Sequence, residues 1–207
     1  MGLGYNPLHM ATTLYVDGSN LFGGISELLP AGNYINFRSF LDEIEKDFTI
    51  DKVKFYATYM RLETSPITTH QLNAKAQIEF LNSAKACDKV EFIKGYFSGF
   101  NKEKGIDMKL GLDLYIDGRD DDYDEAILMS GDADFNYAVD KIKATGKTIH
   151  MIAFASRFPF GMVTRAKKKY VYDYNEHFIN RIVPSMKRAP YNVEIREIGK
   201  AVKIISI

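Results

Sequence analysis

DEAILMSGDADFNYAVDKIKATGKTIHMIAFA, residues 124–155, holds the pattern that decides the fold. Ala126, Ile127, Leu128 and Met129 make a short apolar run of the kind that fills a buried strand, and it runs straight into Ser130, Gly131 and Asp132. DFNYAVDKIKATG then reads as a helix closed by Gly146 as its C-cap. KTIHMIAFA returns to a strand. Strand, helix and strand in that order build a parallel sheet with helices packed on its faces.

The alternation continues towards the N-terminus. TTLYVD (12–17) reads as the first strand, with Gly18, Gly23 and Gly24 loosening the turn after it. RSFLDEIEKDF (38–48) puts Phe40, Leu41, Ile44 and Phe48 on one helical face, KVKFYATYM (52–60) is a second strand, and THQLNAKAQIEFLNSAKAC (69–87) is a helix. VEFIKGYFSGF (90–100) is a third strand with an extension, and IDMKLGLDLYIDG (106–118) is a helix ended by Gly118. The expected class is α/β, a three-layer sandwich whose mainly parallel central sheet is flanked by helices. The tail breaks the rhythm. After Pro184 and Pro190, YNVEIREIGKAVKIISI (191–207) alternates apolar and polar residues around Gly199, the pattern of a β-hairpin. Such a hairpin would add an edge to the sheet or form a homodimer contact.

A chain of 207 residues fits one large domain or one domain with an appendage. Its 46% hydrophobic content is enough for a substantial core and excludes a disordered chain. Lys plus Arg equal Asp plus Glu at 27 each, so nothing global draws the protein to nucleic acid or to a membrane surface. An anionic partner must be held by a local patch or by a metal. The single cysteine, Cys87, excludes an internal disulfide framework and a multi-cysteine zinc site. The N-terminus lacks the basic and apolar regions of a signal peptide, and the apolar runs fall short of the ~20 residues a membrane helix needs. The expectation is a cytoplasmic protein with no membrane partner.

Chemistry is expected where the strands end. In a parallel sheet all strand C-termini share one edge, and ligands bind in the crevice outside it. Asp17 and Asp132 stand at such ends, and Asp134 opens the next helix. Helix capping is the ordinary use of an Asp at these places. Asp107 lies in the first turn of its helix on the face of Leu110, Gly111 and Leu114, which would dock on the sheet. Asp113 is about a third of a turn off that face. It follows Lys109 by four residues, so it can support the cluster or form a solvent-side ion pair. Three or four carboxylates at one edge resist ionising together, and a divalent cation removes the conflict. Oxygen ligands without His or Cys suit Mg²⁺ or Mn²⁺, and such a site implies phosphodiester hydrolysis. The four histidines show no ligand spacing, and His150 reads as a strand residue.

VDGSN (16–20), KGIDMKLGLDLYID (104–117) and AILMSGDADF (126–135), in that order, resemble the NYN domain family, and within it the LabA-like branch of bacterial proteins. The resemblance covers about residues 12–175 and implies the fold of PIN-like metal-dependent ribonucleases. It implies that residues 1–180 form the nuclease domain and 181–207 a C-terminal extension. It implies a metal held by Asp17, Asp107, Asp132 and Asp134, with Asn20 orienting a ligand, a water or a neighbouring Asp. Ser130 would hydrogen-bond within the cluster, Lys104 would meet a phosphate, and Asp124 would be structural.

SRFPFGMVTRAKKKYVYDY (156–174) interleaves basic residues with aromatics, which suits a single RNA strand through phosphate attraction and base stacking. Arg157, Phe158, Arg165 and Lys167 are the candidate contacts, with Arg61 after the second strand. A solvated basic helix face is the alternative for the lysines. At this stage a metal-dependent ribonuclease stands beside a non-catalytic RNA-binding protein on the same scaffold. An aspartyl phosphatase is disfavoured because Ser19, not a second acid, stands two residues after Asp17. A dinucleotide enzyme is disfavoured because DGSNLFGG is not G-x-G-x-x-G.

Overall fold

β1 (Thr12–Asp17) is buried along its whole length, with Leu14 and Val16 packed on one face of the sheet and Tyr15 on the other. The computed structural model describes residues 10–60, 68–98, 103–157, 164–173, 193–197 and 203–207. From β1 the chain runs through α1 (Gly18–Leu28), the short β2 (Asn33–Ile35) and α2 (Phe37–Ile44) into β3 (Lys52–Ala57). α3 (Thr69–Lys85) and β4 (Val90–Lys94) follow. A small antiparallel arm, β5 (Tyr96–Phe97) with β6 (Glu103–Lys104), leads into α4 (Ile106–Arg119). Then come β7 (Glu125–Met129), a 3₁₀ turn at Ala133–Phe135, α5 (Asn136–Ala144), β8 (Thr148–Phe154) and β9 (Lys169–Asp173). β10 (Glu194–Glu197) and β11 (Ile204–Ser206) end the order.

The main sheet has seven strands in the order β10-β9-β8-β7-β1-β3-β4, and every pairing in it is parallel. The α/β class with a flanked parallel sheet therefore stands. Chain order reverses at the middle. From β1 the strands build outward to β4, and the chain then crosses back to place β7 on the other side of β1. α1, α2 and α3 pack on the face of Leu14 and Val16, while α4 and α5 pack on the face of Tyr15. The segments leaving β1 and β7 thus part to opposite faces, which opens a crevice between the two strand ends.

Two expectations are corrected. The stretch after β1 is an eleven-residue helix, not a loosened turn. Its glycines serve close approach. A Cβ on Gly18 would stand 2.3 Å from Phe55 Cε1, and one on Gly24 would stand 2.8 Å from Phe154 Cδ2. Each glycine costs a helix interior about 1 kcal/mol, and packing α1 flat on the sheet offsets this. Phe22 and Ile25 are buried by that packing. The tail does contribute an antiparallel pair, but not as a hairpin closed on itself. β10 extends the main sheet beside β9, whereas β11 pairs antiparallel with β2, Ile204 opposite Ile35. The alternating pattern marks each segment as half-buried and carries no information on which edge will accept it. Gly199 lies outside the described residues. Among the described residues no helix is long and apolar enough to cross a membrane.

Candidate active site

Asp17 ends β1 and caps α1, so one side chain fixes the junction. Its Oδ1 accepts the Asn20 backbone N–H at 3.0 Å, and its Oδ2 accepts the Ser130 hydroxyl at 2.9 Å. Ser130 Oγ in turn accepts the Asp132 N–H at 3.1 Å. Asn20 Oδ1 accepts the Gly131 N–H at 2.9 Å. Asp132 Oδ1 accepts the Asp134 N–H at 2.9 Å and so caps the 3₁₀ turn. The capping role expected of a strand-end Asp is therefore real for Asp17 and Asp132, while Asp134 is capped rather than capping. These bonds join the end of β1 to the loop after β7.

The third strand-edge element is α4, with Asp107 in its first turn. Gly105 starts that turn at φ +84°, a left-handed conformation open to glycine at little cost, and this re-aims the chain from β6 into α4. Sequence reasoning missed Glu103. It lies on β6, and the Ser19 hydroxyl donates to its Oε1 at 2.8 Å. Its only signal was a place in NKEKGID four residues before Asp107, and the antiparallel arm that carries it over α1 has no mark in a helix or strand period.

Charge crowds here. Asp17 is 3% exposed and its carboxyl is pushed up to about 6, first by burial. The Asn20 and Ser130 hydrogen bonds oppose the rise, and the charges of Asp107 and Glu103 add to it. Asp107 is also held above the usual carboxylate range, by lost hydration and then by Asp132, Glu103 and Asp134. Five carboxylates from four segments thus feel one another. Among the described residues no group of three or more His, Cys, Asp or Glu side chains is arranged as a ready cage for a metal ion. Mg²⁺ and Mn²⁺ do not require such a cage. Hard, strongly hydrated cations of this kind bind through one or two carboxylates, waters and substrate phosphates, so the donor set fits them.

A family model for the NYN domain matches residues 11–176. The chain belongs to the NYN domain family. NYN domains are a PIN-like nuclease family, generally hydrolases of nucleic acid that use divalent metals. A comparison with curated protein sequences gives no match. Among solved structures the chain is similar to a crystal structure of a protein of unknown function from Vibrio parahaemolyticus. That match has a TM-score of 0.57 and 16% identity, and covers 79% of this chain and 93% of the other. At that identity the likeness shows the fold alone.

The remaining site residues of this NYN domain divide by position. Asp113 stands apart from the carboxylates. The Tyr56 hydroxyl donates to its Oδ2 at 2.7 Å. Lys109, its expected ion-pair partner, instead donates to the Lys94 carbonyl at 2.9 Å. One turn on, Asp117 receives the Tyr15 hydroxyl and the Lys54 ammonium, the latter at 2.6 Å. Burial raises the affinity of both tyrosines for their protons, and the carboxylates beside them raise it further, so both stay donors. Asp113→Asn keeps an acceptor for Tyr56. It is expected to cost about 1 kcal/mol in urea unfolding.

Of the basic candidates, Arg157 meets the site loop through its backbone, while its guanidinium points along α1. Its carbonyl packs against Gly131, its guanidinium against Gly23, and its Nη2 donates to Glu27 Oε1 at 2.6 Å. Lys104 is exposed next to Glu103 on β6. Arg165 pairs with Asp140 at 2.7 Å. Lys167 lies away from the cluster, at the edge where strands begin. Its N–H bonds the Ile149 carbonyl at 2.8 Å, and its ammonium is 3.6 Å from Glu125, the first residue of β7. Asp124 holds the Ala11 N–H at 3.0 Å at that same far edge, a structural role. Arg61 and Phe158 lie outside the described residues.

Proposed function

We propose that this NYN domain, of the LabA-like branch, is a Mg²⁺- or Mn²⁺-dependent ribonuclease acting in the cytoplasm. One observation carries the reading: carboxylates from β1, β6, α4 and the loop after β7 meet at the sheet's reversal point, with Asp17 buried among them and pushed up to about 6. Asp17, Asp107, Asp132 and Asp134 hold the cation, and Glu103 joins them from the arm. When bound, the cation polarises the phosphoryl group and lowers the pKa of an attacking water.

The chain's own residues supply position. Ser130 fixes the Asp17 carboxylate, and Asn20 fixes the Gly131 amide, so that Asp17 and Asp132 keep their separation as the substrate arrives. Asp107 and Asp134, exposed at the rim, are the members of the carboxylate set open to an entering phosphate. Lys104, exposed beside Glu103, meets a phosphate next to the scissile bond.

Incubation of labelled RNA and DNA with Mn²⁺, Mg²⁺ or EDTA tests the reading. Wild type is expected to cut RNA with either cation, EDTA to stop it, and Asp132→Asn to lose about 10²-fold or more while staying folded. Full activity of an Asp17→Asn/Asp132→Asn protein in EDTA would sink it. The capping bonds that already engage Asp17 and Asp132 favour one second reading, a non-catalytic RNA-binding protein on this scaffold. Retained RNA affinity with no cutting in Mn²⁺ selects that one.

A further inference from the structure

Next to the carboxylates, α4 and α5 leave a groove of about 600 Å³ between them. Asp107 and Asp134 line it together with Met108, Leu112, Tyr137 and Lys141. The walls are unusually bare for apolar side chains, with Met108 68% exposed, Leu112 49% and Tyr137 73%. Lys141 Nζ stands over the Tyr137 ring, 5.2 Å from its centre, so a cation covers one aromatic face of a side chain that is otherwise open. The volume suits a small ligand or one to two nucleotide units, within the range of ordinary ligand clefts.

We infer that this groove receives the unpaired bases of a single-stranded nucleic acid whose neighbouring phosphate lies at the carboxylates. The inference rests on the nuclease reading and adds the place between α4 and α5 where the bases of the strand sit. Continuity is the first reason: Asp107 and Asp134 belong to both places, so a strand bound at the cluster can run on into the groove. Chemistry is the second. A base offers a flat apolar face to Tyr137, Met108 and Leu112, and its backbone offers an anion to Lys141. A duplex keeps its base faces stacked inside and has nothing to place there. A protein occupant fits less well. A cleft of this size takes only a few side chains, whereas a stable protein contact buries about 800 Å² on each partner.

The test uses a labelled single strand of about 12 nucleotides and the matching duplex. It compares wild type with Tyr137→Ala, Tyr137→Phe and Gly111→Leu. Gly111 also lines the groove, and a Cβ there meets only Ala138 and Phe135, both at 3.9 Å, so a larger side chain is tolerated and fills the space. Tyr137→Ala and Gly111→Leu are expected to raise KM for the single strand about tenfold with little change in kcat. Tyr137→Phe should stay within about twofold of wild type, and the duplex should bind more weakly than the single strand. Unchanged KM in both disruptive variants would overturn the inference. So would a dimer that dissociates in Tyr137→Ala with KM unaltered, which assigns the groove to a second copy. Anisotropy on the uncut strand separates the two proposals. If wild type binds without cutting, weaker binding by Tyr137→Ala upholds the groove and discards the nuclease, whereas equal binding discards both.

Discussion

Asp17→Asn is expected to abolish cleavage and, in EDTA, to raise the melting temperature by several degrees. Loss of cleavage follows from removing the most buried carboxylate of the cluster. The gain in stability follows from the cost of ionising it. Its carboxyl lies at about 6 in the folded protein against an ordinary 3.8. At about 1.4 kcal/mol per pH unit, this sets an upper limit of about 3 kcal/mol on the penalty.

The sign is definite. Below about pH 4 Asp17 is protonated in folded and unfolded chains alike, and nothing is lost. As pH rises from about 4 to about 6 the unfolded chain ionises first, so the metal-free protein loses stability. Above about 6 the penalty is complete. Asn keeps the acceptor for the Asn20 N–H and can donate to Ser130 Oγ, so the local bonds survive without the charge. Thermal melts at several pH values should give curves for the two proteins that nearly meet at pH 4 and stand furthest apart above pH 6. Mn²⁺ should stabilise wild type alone. A variant less stable than wild type at pH 7.5 in EDTA would contradict the account.

Gly131→Ala is expected to cost about 3 kcal/mol or more and to remove cleavage with it. A Cβ at this position would stand 1.9 Å from the Arg157 carbonyl oxygen and 2.7 Å from Arg157 Cβ. The first of these contacts is with backbone, which cannot rotate away as a side chain can, so the loop or the 3₁₀ turn at Ala155–Arg157 must move. Overpacking in well-filled sites costs about 1–3 kcal/mol, and a backbone clash belongs at or beyond the upper end. Moving the loop also breaks the Asn20–Gly131 bond and shifts Ser130 and Asp132 from Asp17. Urea unfolding and cleavage assays should fall together. Wild-type stability in Gly131→Ala would show that the loop has slack.

Particular residues show how far the sequence could be read. The apolar runs 126–129 and 14–16 ending in Asp132 and Asp17 are strands because a parallel sheet buries both faces, and that pattern survives without knowledge of partners. The helices at 69–85 and 106–119 likewise follow from their spacing. α1 was not readable, since glycines chosen for contact with Phe55 and Phe154 look like glycines chosen for a turn. Glu103 was not readable, because a two-residue strand has no period. The place of Lys167 was not readable, because it follows β8 in sequence while β9 begins again at the far edge of the sheet. Each miss is a matter of tertiary neighbours, not of local preference.

The order of strands in the sheet also bears on when the protein can act. Translation delivers Asp17 early, but its neighbour across the reversal point, β7, is made only after α4 and more than a hundred further residues. A chain released or stalled before β7 carries the first carboxylate without the Ser130 hydroxyl that holds it or the Asp132 that faces it. The crossover that places β7 beside β1 therefore acts as an assembly timer. It leaves a growing polypeptide without a complete carboxylate cluster until β7 has been made and has paired with β1.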